Sequence, residues 1–118
     1  MPIIFTPTAP ANYKQKSITG IGSYTLLPED NNTILLVYDS QDVEIVVPQD
    51  LAVNPGFSCS IMRLSENNNV SVLNDSESYA FIRSSGDKFY LDSVNSVATL
   101  MKLDTTVPSW ILAGDLKA

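Results

Sequence analysis

Apolar and polar positions alternate along most of this chain with a period of two, the spacing of a strand with one buried face. In the stretch Asp42-Val-Glu-Ile-Val-Val47, residues Val43, Ile45 and Val47 share one face and the two acids share the other. Between Phe57 and Ser65 the same rule sets Phe57, Cys59 and Ile61 against Ser58, Ser60, Met62 and Leu64. Runs rich in Val, Ile, Tyr, Thr and Leu recur about every eight to twelve residues, broken by Asp, Asn, Ser, Gly or Pro clusters, which is the pattern of a sandwich or barrel. Strands are predicted over 23–27, 33–38, 42–47, 57–65, 70–73, 79–83, 88–91, 97–103 and 110–113. The 33–38 run is apolar on both faces and is expected to be covered on both, either centrally in the fold or by another chain. Val97, Leu100 and Met101 also sit at helix-like spacing, but β-branched content and flanking turns favour a strand there. The predicted fold class is all-β: an antiparallel, jelly-roll-like β-sandwich over residues 20–118.

Residues 1–19 follow a different pattern. Pro2, Pro7 and Pro10 disfavour helix and remove ladder donors, so this segment is expected to be an extended N-terminal arm. A purely solvated tail has no use for the cluster Ile3-Ile4-Phe5, which is expected to pack on the chain's own domain or on a neighbouring subunit. Lys14 and Lys16 are the only charged residues before Glu29, so the arm carries +2 and residues 20–118 carry −8.

That imbalance narrows the partners. Nucleic-acid affinity rests on Lys and Arg neutralising phosphates, and a net charge of −6 argues against DNA or RNA. The longest apolar runs, near Ile34 to Tyr38 and Val43 to Val47, fall far short of the roughly 20 residues of a membrane helix. The N-terminus has neither a basic start nor a long apolar core, so no leader is expected and the product reads as soluble and made in the cytosol. At 118 residues the chain makes one domain, and a large cleft would need neighbouring subunits.

Candidate chemistry is sparse. With no His, the usual general base and nucleophile activator is missing, and no enzyme activity, cofactor or metal is expected. The lone Cys59 cannot form an internal disulfide and reads as a small core residue. The acidic turns at 29–32, 39–42 and 92 offer oxygen ligands for a hard cation, but without EF-hand spacing they read as ordinary turn chemistry. Ser84-Ser-Gly-Asp87 lacks the glycine run and Lys-Ser/Thr ending of a phosphate loop and is predicted to be a hairpin turn. Asn31, Asn69 and Asn74 begin N-x-S/T triplets and are read as turn residues. Tyr24, Tyr38, Tyr79, Tyr90 and Trp110 serve either as core and interface residues or as a stacking platform for sugars.

Three pieces in order, Gly22-Ser-Tyr-Thr-Leu-Leu-Pro-Glu-Asp-Asn-Asn-Thr-Ile34, Val43-Glu-Ile-Val-Val-Pro-Gln-Asp50, and Val97-Ala-Thr-Leu-Met-Lys-Leu103 followed by Trp110-Ile-Leu-Ala-Gly-Asp-Leu116, resemble a small β module of tailed-bacteriophage structural proteins. In that family the first piece is a hairpin, and the module occurs in tail fibres and as stand-alone capsid-decorating proteins. The Glu-Asn-Asn-Asn at 66–69 departs from its usual Gly-rich turn. The resemblance implies a virion protein on the outer surface of the capsid, a homotrimer that cements major capsid protein subunits. It implies contacts through Ile3, Ile4, Phe5, Lys14 and Lys16 of the arm, with Tyr24, Tyr38 and Trp110 as interface candidates. The alternative it leaves open is a tail-fibre or baseplate module that recognises host glycans.

Overall fold

The computed structural model describes residues 14–48, 51–75, 82–103 and 110–118, and these are all-β. The strands are β1 (Lys14–Ile18), β2 (Ser23–Thr25), β3 (Thr33–Val37), β4 (Val43–Val47), β5 (Ser58–Arg63), β6 (Val70–Asn74), β7 (Ile82–Ser84), β8 (Tyr90–Leu91), β9 (Val97–Lys102), β10 (Trp110–Gly114) and β11 (Leu116–Lys117). Single 3-10 turns at Pro28–Asp30 and Ser85–Asp87 are the only helical pieces among the described residues. Two sheets result, one in the order β1-β3-β5-β9-β10-β7 and one in the order β11-β8-β6-β4-β2.

From β1 to β6 each strand lies in the sheet opposite its predecessor, and each returns parallel to the strand two before it. The chain therefore winds as three turns of a flattened coil. Stacked positions match in chemistry: Leu35 lies beside Ile61, Val43 beside Val70, and Ile45 between Tyr24 and Val72. Parallel neighbours need a long crossover, and here the crossover is the intervening strand of the other sheet with its two turns. The coil is closed by antiparallel strands, β9 against β5 and β8 against β6, with β10 on β9 and β11 on β8.

This corrects the antiparallel expectation for the first half of the chain. Turns every ten residues or so are common to hairpins and to a coil that alternates sheets, and alternation tells which face a residue occupies without telling which strand lies beside it. For the same reason β2 and β3 do not pair as a hairpin, and the 85–87 turn joins β7 to β8 across two sheets. A second correction concerns the arm: Lys14–Ile18, placed in it by the sequence, is a paired edge strand, while residues 1–13, including Ile3, Ile4 and Phe5, lie outside the described residues.

One apolar core takes residues from both sheets, among them Leu35, Ile61, Leu100 and Leu112 from the first and Ile45, Val72 and Leu91 from the second. Trp110 is buried within it, its ring edge-on to Phe57 at 5.7 Å and 82°. Cys59 is buried too, and that burial, reinforced by the negative charge of Asp30, pushes its thiol up to about 12, so it is an inert packing residue. Gly114 sits at φ +143°, where a Cβ would stand 2.4 Å from the Val97 carbonyl oxygen and 2.7 Å from the Ala98 Cα. Only glycine permits that approach of β10 to β9.

Candidate functional site

The coil brings equivalent turns to the same end of the molecule. The β1–β2, β3–β4 and β5–β6 connections lie side by side, tied by backbone bonds from Tyr38 N–H to Ile18 O and from Leu64 N–H to Val37 O, 2.9 Å each. Asp39 staples all three: its Oδ2 accepts from Ile21 N–H at 3.1 Å, its Oδ1 accepts from Ser40 N–H, and its own N–H donates to Ser65 Oγ at 2.9 Å. Desolvation alone would raise the half-buried Asp39 carboxyl, but the bonds it accepts from Gln41, Ser40 and Ile21 together outweigh it and hold the group below its usual range. Asp42 does similar work, accepting from Asn69 N–H at 2.8 Å. The acidic turn 39–42 therefore spends its oxygens on neighbouring backbone.

Between these turns runs an open groove of about 620 Å³, with Gly20 on one wall, Tyr38 and Ser40 on the middle turn, and Ser65, Glu66 and Asn67 on the other wall. The far wall is held from behind by Arg63, which is buried and donates to the carbonyls of Ser65 and Glu66 at 3.0 Å each and to those of Leu91 and Asp92 at 3.4 and 3.3 Å. Tyr38 is 63% exposed and its hydroxyl bonds to nothing among the described residues.

A second constellation closes the first coil. Lys16 on edge strand β1 points its ammonium at Asp30 Oδ1 at 2.8 Å, and the Tyr24 hydroxyl donates to Asp30 Oδ2 at 2.6 Å. Leu27 N–H donates to the same oxygen at 2.9 Å, and Lys16 also donates to the Tyr24 hydroxyl at 2.8 Å. Burial alone would raise the Asp30 carboxyl, but its bonds from Lys16, Tyr24 and Leu27 outweigh burial and hold it below its ordinary value, while Asp30 and Tyr24 raise the Lys16 ammonium. Burial, with Asp30 beside it, raises the Tyr24 phenol. An inward-pointing charge on an edge strand also discourages unwanted pairing.

The third feature is the outer face of the six-stranded sheet. The registers place Leu36, Met62 and Val97 in one row and Met101 and Ile111 in another, with Ile34 between them among Ser60 and Thr99. Val97 is 38% and Met101 37% exposed, and the others are half-buried. Arg83, at the far edge, is the one charged position among the described strand residues of that face.

The predicted contact residues scatter. Lys16 is engaged internally, Lys14 Nζ donates to Glu29 O at 2.9 Å, Tyr24 is bound to Asp30, and Trp110 is core, so of the interface candidates only Tyr38 stands on the surface. Among the described residues the aromatics form no shared platform, since Trp110 is core and Tyr90 lies across from Ser71 on the second sheet; Tyr79 is outside the described residues. The outer face was partly legible, since the 33–37 strand is apolar on both sides, but Met62, Val97 and Met101 join it only through register. No family model matches this chain, and no curated protein is found to be similar to it.

Proposed function

We propose that this chain is a virion structural protein, a sandwich-type capsid decoration protein that sits on the outside of a bacteriophage head and bridges major capsid protein subunits. The observation that carries the reading is the row of Leu36, Met62 and Val97 with Ile34, Met101 and Ile111 on the outer face of the six-stranded sheet, a face whose one charged position among the described strand residues is Arg83 at its edge, on a chain of net charge −6. Contiguous apolar surface of this kind marks interaction sites. Six strands span roughly 25 Å, and with a five-residue height the face covers on the order of 400 Å². That is about half of one partner's share in a standard interface. Because only part of that area is apolar, its burial supplies less than about 10 kcal/mol gross, no more than the cost of association itself, so a single contact is weak. Weak contacts become useful when many copies, or the subunits of a trimer, engage together, which is how a cement protein acts. The resemblance in sequence supports the same reading.

Light scattering followed by co-sedimentation with heads of the phage encoding the chain tests this. A trimer that pellets with heads, and a Met62→Asp variant that stays folded but remains in the supernatant, is the expected result. A monomer indifferent to heads, or a Met62→Asp variant that binds as well as the parent, overturns it.

A further inference from the structure

The groove at the turn end belongs to a different kind of recognition from the apolar face, and nothing in the decoration reading uses it. We propose that it is a binding site for neutral oligosaccharides, with the Tyr38 ring as the stacking surface and Ser40, Glu66 and Asn67 as hydrogen-bonding partners for hydroxyls. Its volume, about 620 Å³, lies within the usual range of small-ligand sites.

Three features of the groove point to this ligand class. The ring is offered and its base is fixed: Tyr38 is the most exposed large hydrophobic side chain among the described residues, yet its backbone is tied to Ile18 and its neighbour Asp39 is tied to both flanking turns. An aromatic face with one polar tip suits the apolar face of a pyranose. The polar groups beside it are also available. Asp39 is consumed by backbone donors, whereas the side chains of Glu66, Asn67 and Ser40 bond to nothing among the described residues, and the turn carrying Glu66 is pinned by Arg63 through main-chain carbonyls. A carboxylate, an amide and a hydroxyl supply both acceptors and donors, as sugar hydroxyls require. Finally, with Asp39 and Glu66 lining it and no Lys or Arg on its walls, the groove repels sialylated, uronic or phosphorylated glycans and leaves neutral ones. The flank at Gly20 is open space, since even a Cβ there would meet no atom within 4 Å.

The experiment is a titration of the isotope-labelled full chain followed by amide correlation spectra, with maltotriose, cellotriose, triacetylchitotriose and galactobiose as neutral probes and sialyllactose as the acidic control. The expected result is saturable shifts at the amides of Gly20, Ser40, Glu66 and Asn67 with at least one neutral probe, and none with sialyllactose. Tyr38→Ala is expected to weaken that binding about tenfold or more, whereas Tyr38→Trp retains it. Because Tyr38 is exposed, the remainder of the spectrum reports directly that the variants stay folded. Absence of groove shifts with all four neutral probes, shifts that survive Tyr38→Ala unchanged, or stronger binding of sialyllactose would each overturn the proposal.

Discussion

The two halves of the molecule are held together by different physics. In the coil, β1 to β6, strands lie parallel and every second turn falls beside its counterpart, so side chains in the turns become the fasteners: Asp30, Asp39, Asp42 and the carbonyls gripped by Arg63. In the closing half, β9 and β10 run antiparallel and the fasteners are steric: Trp110 against Phe57, and the bare backbone of Gly114 against β9. Repetition generates polar seams at the ends of a coil, whereas closure demands tight apolar packing. Substitutions in the closing half should therefore cost volume and strain, and those in the coil should cost hydrogen bonds and show pH dependence.

The largest loss is expected at Trp110. Trp110→Ala removes a ring that is 3% exposed and undoes its contact with Phe57, for a loss of about 3–5 kcal/mol measured by denaturant unfolding. An unchanged midpoint would show that β10 contributes little to closure. Gly114→Ala comes next, at about 3 kcal/mol, because the added methyl strikes main-chain atoms that cannot rotate away. Its thermal midpoint should fall without any change in the outer-face strands' amide pattern, and a variant as stable as the parent would mean that β9 yields easily.

The coil counterpart is Arg63→Leu. Four carbonyl partners lose a buried donor, and two of them belong to the wall that carries Glu66, so about 2–3 kcal/mol is expected to disappear. Unlike the two closing-half variants, this one should also broaden or shift the amides of Ser65 and Glu66 at conditions where the protein remains folded. A loss of stability with those amides unmoved would separate Arg63 from the groove.

Strand positions and inward faces were legible because period-two alternation is a local property: Val43, Ile45 and Val47 are buried as their spacing requires. Pairing was not, because Ile45 finds Tyr24 and Val72 as neighbours from distant parts of the chain, and nothing in its own strand names them. Strand β1 escaped notice for a more particular reason. Its inward positions are Lys14, Lys16 and Ile18, so the expected apolar stripe is replaced by a charge whose partner, Asp30, sits in a turn that reads as ordinary punctuation. Tyr38 was visible as an aromatic at a strand end, but its groove is assembled from three turns that only the coil brings together.

The smallest effect, and the one that tests the polar seam most directly, is at Asp30. Asp30→Asn keeps the shape but removes the charge that meets Lys16 and Tyr24, and about 1–2 kcal/mol is expected to be lost at neutral pH. The sign of the pH dependence follows from the direction of each shift. The Asp30 carboxyl lies below its ordinary 3.8 in the folded chain, so the unfolded chain binds its proton first, and the contribution is complete above that value and declines as pH falls through the folded value. Lys16 is raised above its ordinary 10.5, so its share is complete below that and is lost as pH rises through the folded value. Between the two limits the gap between parent and Asp30→Asn should be flat, and it should shrink on acidification below about pH 4 as the parent loses its carboxylate. A closing-half variant such as Gly114→Ala should instead run parallel to the parent across the same range, because the atoms nearest the added methyl belong to Val97 and Ala98, which do not titrate. If the Asp30→Asn gap persists undiminished into acid, the seam acts through shape alone, and the distinction between a hydrogen-bonded coil and a sterically closed half would have to be drawn without charge.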